Sequence, residues 1–165
     1  LIKMYPYIDE NINVVKAAEE ELPAPIVQTS RVAMLIEEAV KDEITDSIYY
    51  MEMAEKEEDS FIKELYKTMS DDETRHSKIL EEIYKDITGI KVPNSEIEKR
   101  VLNDDYVEAA KEDMVSELKG AAFYRDLISV IEDKDYAEEI NLIMNDEQSH
   151  GIINSAILTR RKQQL

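Results

Sequence analysis

Asp72-Glu73-Thr74-Arg75-His76 and Asp146-Glu147-Gln148-Ser149-His150 match each other, and they hold the only two histidines of the 165-residue chain. In each stretch a glutamate precedes the histidine by three residues. Positions three apart share a face of an α-helix, so each stretch aims a carboxylate and an imidazole at one point. Two such pairs facing each other would make a metal site, provided that the surrounding sequence builds helices to carry them.

The flanking sequence has that helical period. Around the first stretch an apolar stripe runs Ile62, Leu65/Tyr66, Met69, then Glu73 and His76, then Leu80, Ile83 and Ile87. Around the second it runs Tyr136, Ile140, Ile143, Glu147, His150, Asn154 and Ile157, ending in the cations Arg160-Arg161-Lys162 that suit a helix C-terminus. Two further helices are predicted. One starts near Thr29 or Ser30, either a suitable cap, with the stripe Val32, Ile36, Ala39/Val40, Ser47, Tyr50 and Ala54. The other starts near Asp105 with Glu108 in capping position, and carries Ala110, Met114, Ala121, Tyr124, Ile128 and Ile131. Each of these stripes is interrupted by one carboxylate, Glu43 in the first and Glu117 in the second. A carboxylate on a buried face is costly unless it is paired, hydrogen-bonded or metal-bound.

Shifting the sequence by 74 residues brings the halves into register: Glu43 falls on Glu117, Tyr50 on Tyr124, Glu58-Asp59 on Glu132-Asp133, Asp72-Glu73 on Asp146-Glu147 and His76 on His150. Each half reads as a helical hairpin, turning near Glu58-Asp59-Ser60 and near Asp133. Each glutamate lies about 15 residues from its turn, roughly 22 Å along a helix, so all four glutamates and both histidines reach one level. Gly89 and Pro93 end the second helix, and residues 89–105 form the only long connection. Ser95 and Glu98 fit a capping box and predict a short helix there. That connection can run the length of a bundle, so the predicted fold is all-α, a four-helix bundle running up, down, down, up over residues 29–165. Residues 1–28 read as an N-terminal appendage, with a short acidic helix from Ile8 to Glu21 stopped by Pro23 and Pro25.

Composition narrows the function classes. Only 3 Gly and 4 Pro occur, which favours long helices over a turn-rich β fold. The absence of cysteine rules out disulfides, iron–sulfur clusters, zinc ribbons and thiol catalysis. A net charge of −18 argues against nucleic acid as partner, since phosphates would be repelled. The longest strictly apolar run, Val32 to Ile36, is too short for a membrane span. The first residues lack the layout of a signal peptide, so the expected location is cytoplasmic.

Four glutamates and two histidines converging on one level predict two divalent metals bridged by carboxylates, with one imidazole per metal. Hard oxygen donors of this kind suit two iron ions, with manganese or a mixed pair also compatible. The bridging pair is either Glu73 with Glu147 or Glu43 with Glu117. A metal-bound imidazole usually gives its other N–H to a carboxylate, so Asp72 is expected to serve His150, and Asp146 to serve His76, across the bundle. Tyr50 and Tyr124, two turns beyond Glu43 and Glu117, are placed to hydrogen-bond carboxylates, to pass electrons, or simply to pack as core aromatics.

One glutamate, then Glu-x-x-His, then the same again, resembles the ferritin-like di-iron carboxylate superfamily over roughly residues 30–160. Asp72-Glu73-Thr74-Arg75-His76 looks like the Asp-Glu-x-Arg-His motif of its oxygenase members. The length, the repeated hairpin and the tyrosine after Glu43 look most like rubrerythrins, with bacterioferritins next. The resemblance implies a ferritin-like fold, two iron ions, and a peroxidase cycling iron between ferrous and ferric states with an external electron donor. It also implies a homodimer or larger homo-oligomer. The chain departs from rubrerythrins in lacking the four cysteines of a rubredoxin domain, and in having Gly120 where they carry an extra carboxylate. The resulting four-Glu, two-His set is closer to bacterioferritin, which keeps a ferroxidase or iron-storage function open. An oxygenase and a metal-stabilised structural bundle are the remaining alternatives.

Overall fold

The computed structural model describes residues 24–94 and 96–163, with side chains described from residue 31 onward. The described residues form four helices, α1 (Ala24–Lys56), α2 (Ser60–Thr88), α3 (Tyr106–Ile128) and α4 (Lys134–Gln163), and no strand. The acidic helix expected between Ile8 and Glu21 lies outside the described residues.

Helix ends follow local chemistry. Asp59 caps α2 by accepting from the amides of Phe61 and Ile62, and Gly89 ends it in the left-handed conformation at φ 76°, where a side chain would be strained. Asp105 caps α3 and Asp133 caps α4 in the same way. The box expected at Asp105 is only half formed, because the Asp105 amide donates to Asn103 while Glu108 pairs with Lys111. α1 begins at Ala24, earlier than the predicted start near Thr29, and Pro25 therefore falls in its first turn. Amides there have no intrahelical partner, so a proline costs nothing at that place.

Hairpin partners pack tightly, α1 on α2 and α3 on α4, and the two hairpins approach each other chiefly along α2 and α4. The connection from 89 to 105 returns the chain along the bundle so that α3 starts at the end where the first hairpin turns. Its described residues form no helix, contrary to the short helix predicted from Ser95 and Glu98; Ser95 itself is outside the described residues. Side chains fix the strap instead: Lys99 pairs with Glu52, Arg100 with Asp46 and Asp113, and Val92 and Leu102 pack on the core.

The core is divided in two. One apolar cluster, with Tyr49, Tyr50, Met53, Ile62, Tyr66, Met69 and Ile157, fills the end near the first turn. The other, with Ile36, Val40, Leu80, Ile83, Tyr124, Leu127, Ile140 and Ile143, fills the end near the second. Between them lies a polar layer.

Candidate metal centre

That polar layer contains Glu43 from α1, Glu73 and His76 from α2, Glu117 from α3, and Glu147 and His150 from α4, all buried. Each was drawn inward by its neighbours: the apolar residues three, four and seven positions away on its helix face the core, and the charged residue shares their face. The six form two overlapping groups. Glu43, Glu73, His76 and Glu147 each offer an atom within 4.8 Å of the others, and so do Glu73, Glu117, Glu147 and His150. Glu73 and Glu147 belong to both groups, whereas Glu43 and Glu117 belong to one each.

The histidines are held from behind. Nε2 of His76 lies 3.2 Å from Asp146 Oδ2, and Nε2 of His150 lies 3.2 Å from Asp72 Oδ2. The aspartates thus reach across from the opposite hairpin. Arg75 ties them together, donating to Asp72 at 2.6 Å and to Asp146 at 3.1 Å. Burial alone would raise the Asp72 pKa, but hydrogen bonds from Arg75 and His150 outweigh it and hold the carboxyl below its usual value. The repeat gave no hint of this clamp, since the residue matching Arg75 is Ser149. Its signal in the sequence is the three-residue spacing between Asp72 and Arg75.

With Nε2–H committed to an aspartate, Nδ1 of each ring points at carboxylates. Nδ1 of His76 lies 2.9 Å from Glu73, 3.4 Å from Glu43 and 3.5 Å from Glu147. Nδ1 of His150 lies 3.0 Å from Glu73 and 3.6 Å from Glu117. A neutral imidazole donating through Nε2 presents a lone pair at Nδ1, and only a proton or a cation can stabilise a lone pair aimed at carboxylates. The Oε1 atom of Glu147 and Nδ1 of His150 are moreover buried and, despite these close approaches, make no well-aligned hydrogen bond among the described residues. Oxygen-rich and nitrogen-bearing donors left unsatisfied in a dry layer fit divalent metal ions.

Electrostatics point the same way. Burial pushes the Glu73 carboxyl up to about 8, helped by the charge of Glu43 and opposed by both histidines. Burial and the neighbouring glutamates raise Glu147 well above the usual carboxylate range. Burial would raise Glu43 too, but hydrogen bonds from His76 and Glu73 prevail and lower it. Desolvation would lower the His150 pKa, yet Glu117 and Glu73 override it and bring it up to about 11; His76 is raised in the same way. Without metal, protons must neutralise this layer.

Two tyrosines bridge α1 and α3 across the centre. Tyr50 donates its hydroxyl to Glu117, and Tyr124 donates to Glu43. These are crossed contacts, each tyrosine reaching the glutamate of the other hairpin. Gly120 leaves space on α3 that the Glu147 carboxylate occupies, since a Cβ there would lie 2.5 Å from Glu147 Oε2.

One buried polar neighbourhood beside the layer has no counterpart in the sequence reading. Asp113 on α3 is completely buried, whereas the predicted stripe assigned the inner face to its half-buried neighbour Met114. Asp113 accepts from Tyr49 at 3.0 Å and from Arg100 at 2.6 Å, and Arg100 also binds Asp46 at 2.6 Å. Arg100 comes from the aperiodic strap, where no face is defined, and its destination is a matter of tertiary structure alone.

Among the described residues, no helix is long and apolar enough to cross a membrane. No curated protein and no solved structure matches the chain significantly. The family model described as Rubrerythrin matches residues 35–158, which takes in every residue of the polar layer. The chain therefore belongs to the rubrerythrin family, with the ferritin-like four-helix bundle and carboxylate–histidine layer of a di-iron carboxylate protein.

Proposed function

We propose that the chain is a di-iron redox protein that reduces hydrogen peroxide, or reacts with O2, at the centre of the bundle and is re-reduced by an external electron donor. The observation that carries this reading is the pair of overlapping four-residue groups sharing Glu73 and Glu147. Glu43, Glu73, His76 and Glu147 would hold one ion and Glu73, Glu117, Glu147 and His150 the other, with Glu73 and Glu147 within reach of both. Such a pair, when bound as ferrous iron, would supply the two electrons that reduction of a peroxide bond requires.

The chain's own residues set the conditions for that chemistry. Asp72 and Asp146 keep Nε2 of each histidine protonated, so that Nδ1 is free as a donor atom. Tyr50 donates its hydroxyl to Glu117, and Tyr124, by donating to Glu43, favours the ionised form of that carboxyl. Two apolar clusters exclude bulk water from above and below, which strengthens every charge interaction in the layer. Reduction of peroxide consumes two protons and two electrons, so a reductant must act from outside the centre.

A ferroxidase role is the second reading, favoured by Gly120, which leaves the set at four glutamates and two histidines. The test is anaerobic reconstitution with ferrous iron followed by hydrogen peroxide and a reductant. Two irons per chain and stoichiometric peroxide consumption are expected. Fewer than one iron per chain would overturn the di-iron reading, and iron oxidation with mineral accumulation in a cage-sized assembly would favour the ferroxidase.

A further inference from the structure

The correspondence between the two halves breaks down around one cluster. Under the 74-residue shift Tyr49 falls on Phe123, Asp113 on Ala39 and Asp46 on Gly120, while Arg100 lies outside both hairpins. One side of the centre therefore has a second phenol with its own carboxylate at positions where the other side has Phe123 and Ala39.

The geometry of that side is ordered from the surface inward. Arg100, about a quarter exposed, lies with its guanidinium 3.7 Å from the centroid of the Tyr49 ring. Tyr49 is buried and donates to Asp113 Oδ2 at 3.0 Å. Its ring meets that of Tyr50 edge-on, with centroids 5.3 Å apart. Tyr50 in turn donates to Glu117. Each of the two phenols thus has a carboxylate ready to receive its proton. Tyr66 also stacks on Tyr50, at 6.0 Å, but its buried hydroxyl has no acceptor among the described residues and faces Arg161, which can only donate.

We propose that Tyr49, with Asp113 as its proton acceptor, is a one-electron relay between the strap side of the protein and Tyr50 at the centre. The proposal rests on the peroxide reading of the centre. In each transfer Tyr49 loses one electron inward and its O–H proton to Asp113 Oδ2, and an electron from the external donor plus the same proton restores the phenol. In the absence of a donor, a first hydrogen peroxide takes its two electrons from the ferrous pair, and a second is reduced to two waters by two phenol groups, each giving up one electron and one proton. The Arg100 guanidinium opposes positive charge on the ring, so the electron leaves Tyr49 only together with the proton. Asp113 is for that reason as necessary as the phenol itself.

The full chain, loaded anaerobically with ferrous iron, is treated with excess hydrogen peroxide without reductant, freeze-quenched and read by electron paramagnetic resonance, with ring-deuterated tyrosine to identify the radical. A tyrosyl signal is expected, diminished in Tyr49→Phe at unchanged iron content and retained in Tyr84→Phe, a buried tyrosine of the other apolar cluster. Asp113→Asn is expected to diminish the signal too; if that variant does not fold, Tyr49→Phe, which removes a single oxygen, decides alone. An unchanged signal in Tyr49→Phe overturns the relay. So does the absence of any tyrosyl signal while iron is oxidised and peroxide is consumed. If peroxide leaves the iron ferrous, the peroxide reading itself fails, and the relay falls with it.

Discussion

Asp146 on α4 lies 3.2 Å from Nε2 of His76 on α2, so the aspartate that precedes one glutamate of the layer orients the histidine of the other hairpin. The reciprocal contact joins Asp72 to His150. Removing either carboxylate frees an imidazole to rotate or to change tautomer. Asp146→Asn is expected to weaken iron binding by about 10–100-fold, as measured by competition with a chelator. The melting temperature of the metal-free protein should change little, because Asp146 is partly exposed and keeps a hydrogen-bonding amide in the variant.

Sharing predicts unequal losses. Glu73 belongs to both groups and Glu117 to one. Glu73→Ala should abolish binding of both ions, whereas Glu117→Ala should leave one ion per chain. Metal content after gel filtration distinguishes these outcomes, and equal losses in the two variants would contradict the shared role of Glu73.

Metal and protons compete for the same atoms, which fixes the sign of the pH response. Glu73 is raised to about 8 in the folded protein, so its contribution to stability is fully present below pH 4.5 and is lost as pH rises through 8. His150, raised to about 11, contributes stability that is present below pH 6.5 and lost as pH rises through 11. Glu43, which is lowered, acts in the opposite sense, but its window lies below pH 4.5. The metal-free protein should therefore lose stability between pH 5 and 9. Metal binding should tighten over the same range, because the ligands must shed protons. Thermal melts with and without ferrous or manganous ion check both slopes.

Asp113 depends on Arg100. Its carboxylate is buried, and Arg100 is its only cationic partner at 2.6 Å among the described contacts. Arg100→Met leaves a buried charge uncompensated and should cost about 3 kcal/mol in urea denaturation. Adding Asp113→Asn should recover part of that loss, since the Asp113 charge is then gone while Asp46 still lacks its partner. The same variants carry information on the strap, which is otherwise held mainly by Lys99–Glu52 and by apolar contacts.

The parts legible in the sequence were those with local or periodic causes. Asp59, Gly89 and Asp105 mark helix ends because their side chains or backbone freedom act within a few residues. The glutamates and histidines of the polar layer stood out because charge interrupting an apolar stripe is costly, and the 74-residue register tied them to one level. Asp113 was hidden by a shift of one position, about 100° around a helix, between it and Met114. Arg100 was hidden because an extended strap has no face that its sequence can announce. The short helix expected from Ser95 and Glu98 did not form in the described residues, where Lys99, Arg100 and Leu102 are anchored on α1, α3 and the core instead.

The central claim is that two metal ions share Glu73 and Glu147 in the middle of the bundle. Crystals reconstituted anaerobically with ferrous iron, measured at the iron absorption edge, test it most directly. The account predicts two anomalous peaks about 3.5–4 Å apart, one against Nδ1 of His76 and the other against Nδ1 of His150, with Glu73 and Glu147 spanning them. A single peak, or two peaks spanned by Glu43 and Glu117 instead, would contradict it.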